Sequence, residues 1–300
     1  FEELNEGEVL LNQEVLREDF KLSSEDIKID FDNLNAELYK VDLEKVRGNE
    51  YSPSFMKLED EVRDPLIDYI IAKPKESQIT DITHQLMMII GNMFPIPDQE
   101  VKSYIEKILV SMTNEQLREC LTKKYSYKDK IKNKIKSLSD AHAEKEFFKR
   151  VDASKIKTKA NFSLSYEIIP NGLADNLSKS LYEREGKINS FEEKIVLHLS
   201  SLDNVLFWHR NLERGKGFSI NGYKSNHYPD FIFVTKKGNI VLIETKGDHL
   251  KNPDSIAKNK LGRKWAELAG EKYKYFMVFE KEPISDARNI DDMKEIMKEL

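Results

Sequence analysis

Two apolar runs joined by a turn, Phe231-Ile232-Phe233-Val234 and Ile240-Val241-Leu242-Ile243 around Lys236-Lys237-Gly238-Asn239, constrain this chain more than any other stretch. Runs of β-branched and aromatic residues flanking a Gly-Asn turn predict an antiparallel hairpin. Its outer ends are polar. Asp230 follows Pro229 just before the first run, and Glu244-Thr245-Lys246-Gly247 follows the second. If Thr235 pairs with Asn239, Asp230 falls opposite Glu244; a two-residue loop shifts the register by one and still leaves the carboxylates close. Strand alternation puts Glu244 and Lys246 on one face, with Ile243 and Thr245 on the other.

Two carboxylates beside strands this apolar cost desolvation free energy and repel each other unless a cation lies between them. Hard oxygen ligands select Mg²⁺, with Mn²⁺ as substitute, an ion that keeps several waters and takes a substrate phosphate as a further ligand. Phosphodiester hydrolysis needs an activated water, a Lewis acid on the non-bridging oxygens and charge relief in the transition state. Asp230 and Glu244 are therefore the expected metal ligands, with the Thr245 carbonyl as a backbone ligand and Lys246 to orient or help deprotonate the water. A further acid is expected from the helix before the hairpin. Ser190-Phe191-Glu192-Glu193 reads as a capping box, which gives Glu193 the cap and assigns Glu192, on the face of Ile195, Val196 and Leu199, to the site.

Elsewhere the local pattern sorts the chain. Short alternating runs in residues 1–60, such as Ile27-Lys28-Ile29-Asp30-Phe31-Asp32, predict strands. Behind Asp98 as cap, Val101, Tyr104, Ile105, Ile108 and Leu109 fall at helical spacing, and Thr113-Asn114-Glu115-Gln116 is a capping box for the next helix. Lysines at alternate positions from Lys128 to Lys136 spread over opposite helix faces and read as a solvated helix. Residues 151–188 show no period and read as a connection. The expected fold class is α/β (mixed α+β overall): a mostly helical coupling domain with some N-terminal strands over residues 1–180, then an α/β domain over 181–300 with a mixed sheet flanked by helices.

Composition narrows function less than distribution does. Residues 1–60 hold 7 Lys/Arg against 17 Asp/Glu, and residues 121–160 hold 13 against 5, so the net charge of -5 conceals a segregated pattern that neither announces nor excludes a nucleic-acid partner. The single Cys120 rules out an internal disulfide and a thiolate zinc cluster, and suits a reducing cytoplasm. The apolar stretch Leu86–Ile90 is too short to span a bilayer. Phe1 at the start suggests a piece of a longer chain. His198, His209, His227 and His249 match no zinc spacing and read mostly as surface or packing residues, with His227 and His249, which bracket the hairpin, the two nearest the expected site.

Tyr228-Pro229-Asp230-Phe231 followed by Ile243-Glu244-Thr245-Lys246-Gly247 resembles the PD-(D/E)XK nuclease superfamily. With Ser190-Phe191-Glu192, Trp208 and Lys264-Trp265 included, the text over about residues 188–280 is most similar to the C-terminal endonuclease domain of type III restriction enzyme restriction subunits. The resemblance implies a restriction-endonuclease-like fold, Mg²⁺-dependent cleavage of double-stranded DNA, a helicase-like motor upstream in the full chain and a partner methyltransferase subunit that reads the DNA. Gly215-Lys216-Gly217-Phe218-Ser219 lacks the spacing of a phosphate-binding loop, so ATP enters only through a motor outside this chain. On the helix with Trp265, the basic residues Lys258, Lys260, Arg263 and Lys264 are expected to neutralise DNA phosphates, Lys264 foremost. A repair or recombination nuclease shares the motif, as does a decayed DNA-binding module on the same fold; intact Asp230, Glu244 and Lys246 argue against the latter.

Overall fold

The computed structural model describes residues 1–31, 39–47, 50–57, 65–170, 172–174, 177–212 and 215–300, with only the backbone for 39–47, 50–57 and 65–66. In chain order it contains strands β1 (Glu2–Glu6), β2 (Val9–Leu10), β3 (Tyr39–Arg47) and β4 (Glu50–Lys57). Helices α1 (Pro65–Ile71), α2 (Lys75–Ile90), α3 (Asp98–Ser111), α4 (Asn114–Thr122) and α5 (Lys124–Asp152) follow, then β5 (Ile156–Ala160), α6 (Ser190–Ser200) and β6 (Val205–Arg210). The last part holds β7 (Phe231–Thr235), β8 (Ile240–Lys246), α7 (Pro253–Ala269), β9 (Tyr273–Phe279), β10 (Arg288–Asn289) and α8 (Ile290–Glu299). Among the described residues no helix is long and apolar enough to cross a membrane.

The chain forms two compact units, Arg17–Glu144 and Phe1–Leu16 with Lys145–Leu300, rather than dividing at 180/181. Pairing explains the difference. β5, inside the stretch expected to be a connection, runs antiparallel to β1 from Glu2↔Ala160 to Glu6↔Ile156 and draws the first residues into the C-terminal unit. Asn221 fastens the same segment, accepting from the Leu4 amide at 2.9 Å and donating to the Leu4 and Leu11 carbonyls at 2.7 and 2.8 Å. Asn221→Ala should cost about 3 kcal/mol, at roughly 1 kcal/mol per bond, seen as a lower urea midpoint with an unchanged m value.

In the Arg17–Glu144 unit the helices bury the residues their spacing selects: Val101, Tyr104, Ile105, Ile108 and Leu109 all face inward from α3. Pro97, not Asp98, stands at its N-cap, while Thr113 and Gln116 form the expected reciprocal cap of α4. No strand forms in the described part of Ile27–Asp32; Asp32 lies outside the described residues. Ile27, Ile29 and Phe31 instead pack against the helical core.

The C-terminal unit is mixed α and β around a five-stranded sheet of order β10-β9-β8-β7-β6. β8 is antiparallel to β7 and parallel to β9. The hairpin takes the register in which Phe231 faces Ile243 and Val234 faces Ile240, closed by the Thr235 amide on the Asn239 carbonyl at 3.0 Å. Gly238 supplies the left-handed turn residue, with φ +83°. Alternation then assigns the faces. Ile195, Val196 and Leu199 of α6 and Met293 and Met297 of α8 pack with Phe231, Phe233, Val241 and Ile243 on one face. Leu242 pairs with Tyr275 on the other, where α7 lies so close that a Cβ on Gly262 would sit 2.5 Å from the Tyr275 ring.

Candidate active site

The hairpin register brings its polar ends together. Asp230 Oδ2 accepts from the Thr245 amide and from the Thr245 hydroxyl, both at 2.7 Å. Two residues along the alternation, Glu244 and Lys246 share a face, with Lys246 Nζ 2.5 Å from Glu244 Oε1. Glu244 is 4% exposed, and its other oxygen, Oε2, is buried with no hydrogen-bond partner among the described residues. His227 Nε2 lies 4.0 Å from it and is itself within hydrogen-bond distance of the Tyr275 hydroxyl at 2.8 Å.

The electrostatics follow from burial. Desolvation and the Asp230 charge push the Glu244 carboxyl up to about 8 against the opposing pull of Lys246 and Lys258. His227 is pushed down to about 3 by burial and by Lys258 and Lys246, so its imidazole is neutral at neutral pH. Burial works against the charge on Lys246, but Glu244 and Asp230 hold its ammonium above the usual lysine value. Lys246 is therefore a charged donor in this site and not a ready base. Against its own burial, Asp254 is held down at about 2 by Lys258 and Lys224. Of these two cations, Lys258 from α7 also acts on Glu244 and His227.

The role expected for Glu192 changes. Asn189, one residue before Ser190, is the N-cap of α6, so N3 is Glu192 and not Glu193. Glu192 Oε2 accepts from the Asn189 amide at 2.7 Å, and Oε1 accepts from Arg210 at 3.3 Å. Arg210 in turn reaches Asp230 Oδ1 at 3.1 Å, so Glu192 joins the site through a guanidinium and not as a third converging carboxylate. Among the described residues no three His, Cys, Asp or Glu side chains converge as a metal cage. An ion here would take Asp230 and Glu244 and fill its remaining positions with water and substrate oxygens, as Mg²⁺ ordinarily does.

Lys260, Arg263 and Lys264 lie on a different part of α7, lining a cavity of about 490 Å³ with Phe148, Asn259 and Asp286. Each has an intramolecular contact: Lys260 over the Phe148 ring at 4.0 Å, Arg263 with Asp286 at 2.8 Å and Lys264 with Glu267. The α7 cation whose charge reaches Glu244 is Lys258. His209 is buried against Glu185 at 2.9 Å, His198 is exposed, and a Cβ on Gly247 would meet the His249 ring. Lys258 stands among the basic residues that the sequence places on this helix, whereas nothing in the sequence marks Arg210 or Tyr275 for the site. Lys258 also pairs with Asp254 at 2.9 Å, four residues apart on the helix. Comparison with protein-family models, curated proteins and solved structures finds no match for the chain.

Proposed function

We propose that the C-terminal unit is a Mg²⁺-dependent endonuclease of the PD-(D/E)XK type, the nuclease part of a type III restriction enzyme's restriction subunit. One observation carries the reading: at the end of the hairpin Lys246 pairs with Glu244 within reach of the Asp230 charge, and a buried Glu244 oxygen there has no hydrogen-bond partner among the described residues. An unpaired, desolvated carboxylate oxygen beside a second carboxylate suits a hard cation. The five-stranded mixed sheet, with α6 and α8 on one face and α7 on the other, supports a restriction-endonuclease-like core. Double-stranded DNA as substrate, an upstream motor and a methyltransferase partner belong to the same proposal and rest on the motif resemblance.

Asp230 and Glu244 would hold the ion. When bound, it would polarise the scissile phosphate and lower the pKa of a water. The chain's own residues do the rest. Thr245 fixes the Asp230 carboxylate through two hydrogen bonds, so its remaining oxygen is presented in one orientation. Lys246, kept charged by Glu244, orients the attacking water or a non-bridging phosphate oxygen and offsets charge as the transition state forms. Lys258, whose charge reaches Glu244, adds positive potential beside the site for the backbone of the nucleic acid.

The test is calorimetric titration of Mg²⁺ and Mn²⁺ into the wild type and Asp230→Ala. Binding by the wild type and its loss in the variant is expected; equal binding by both sinks the assignment. Lys246→Ala should retain the ion and lose cleavage of double-stranded DNA, which separates a nuclease from a DNA-binding module.

A further inference from the structure

The end of β6 carries a cation that the reaction outlined above does not use. Arg210 Nη1 donates to the Asp230 carbonyl at 2.8 Å and to Asp230 Oδ1 at 3.1 Å, and Nη2 donates to Glu192 Oε1 at 3.3 Å. Its guanidinium carbon lies 5.2 Å from the centroid of the Phe231 ring. The backbone amide of Arg210 donates to Glu185 Oε2, an oxygen that also meets His209 Nδ1, which pins the residue at its root. The three charged side chains are 15% (Arg210), 16% (Asp230) and 8% (Glu192) exposed, so they interact in a largely dry setting. A planar fork of donors is the group best suited to bridge two such carboxylates.

We propose that Arg210 is a built-in counter-cation that holds Asp230 and Glu192 in the metal-free protein and exchanges with the divalent ion at Asp230. The proposal rests on the metal reading above. Its basis is the division of the carboxylate oxygens. Asp230 Oδ2 is committed to Thr245, so Oδ1 is the oxygen left to face a cation, and Arg210 is on it. A guanidinium and a divalent ion directed at one oxygen repel each other and compete for it. Exchange leaves Glu192 still bonded to the Asn189 amide, so α6 keeps its cap while the guanidinium moves away. The arginine thereby keeps two anions from facing each other uncompensated before the ion arrives, at the expense of ion affinity.

Metal-free stability and ion affinity should then move in opposite directions when Arg210 is removed. The experiment is thermal unfolding in chelator, together with Mn²⁺ titration by calorimetry, on the wild type, Arg210→Met and Arg210→Lys. Arg210→Met should melt lower without metal, bind Mn²⁺ about tenfold more tightly or better, and show a larger metal-induced rise in melting temperature. An unchanged or weaker affinity in the folded variant would mean that Arg210 is only a structural tie, and would overturn the exchange. Should Arg210→Met fail to fold, Arg210→Lys decides: an ammonium reaches one carboxylate but not both, so a smaller gain in affinity is expected, and no gain overturns the proposal. Asp230→Ala separates the two levels. If it binds Mn²⁺ as the wild type does, the metal reading fails; if it does not bind but Arg210→Met gains nothing, only the exchange fails.

Discussion

Glu244→Gln is expected to match the wild type in metal-free stability near pH 4.5 and to exceed it clearly at pH 9. The Glu244 carboxyl moves from 4.5 in the unfolded chain to about 8 in the fold, chiefly through desolvation and then the Asp230 charge. A folded value above the unfolded one means that the native state keeps a proton the unfolded chain gives up. The stability linked to it is complete below 4.5 and is lost as pH rises through 8. At 1.36 kcal/mol per unit, this shift amounts to on the order of 5 kcal/mol. Glutamine has no proton to lose, so the variant escapes the penalty, and Lys246 retains Asp230 and Asp254 as counter-charges. Urea unfolding of both proteins at the two pH values reads the difference. Parallel stability curves from pH 4.5 to 9 would show that Glu244 does not titrate in this range.

Ion binding should carry the same proton. Below about 8 the metal-free Glu244 carboxyl is protonated, and a ligated carboxylate is not, so each ion bound releases one proton. Affinity for Mg²⁺ or Mn²⁺ should rise about tenfold per pH unit up to about 8 and then level off. His227, already neutral down to about 3, adds nothing to the slope. Calorimetry in two buffers of different ionisation enthalpy counts the proton directly. Binding near pH 7 with no proton released would remove Glu244 from the ligand set.

How much of this was legible depended on distance along the chain. The Asp230–Glu244 juxtaposition followed from one turn and strand alternation, both local, and the hairpin keeps that register. The cap of α6 did not, because Asn189-x-x-Glu192 and Ser190-x-x-Glu193 are equally good boxes one residue apart. The buried face of Ile195, Val196 and Leu199 was nonetheless placed correctly, since it depends on spacing and not on where the helix starts. The alternation at Ile27–Phe31 was real, as these side chains point inward at every second position, but burial of that period needs no ladder partner. Arg210 and Tyr275 enter the site only because β6 and β9 take the positions they do in the sheet, and strand order is not written in any one segment.

The clasp of Asn221 on Leu4 has a consequence in time. Its partners stand 217 residues apart, with the Arg17–Glu144 unit between them in sequence. At synthesis rates of about 5 to 20 residues per second, the first strand waits roughly 10 to 40 s before the asparagine that secures it has been made. For that interval the Leu4 amide and the Leu4 and Leu11 carbonyls lack the side chain that bonds them, while the intervening unit can already fold on local contacts. A nascent chain stalled before Asn221 should therefore expose Leu4 and Leu11 to protease, and the folded protein should protect them.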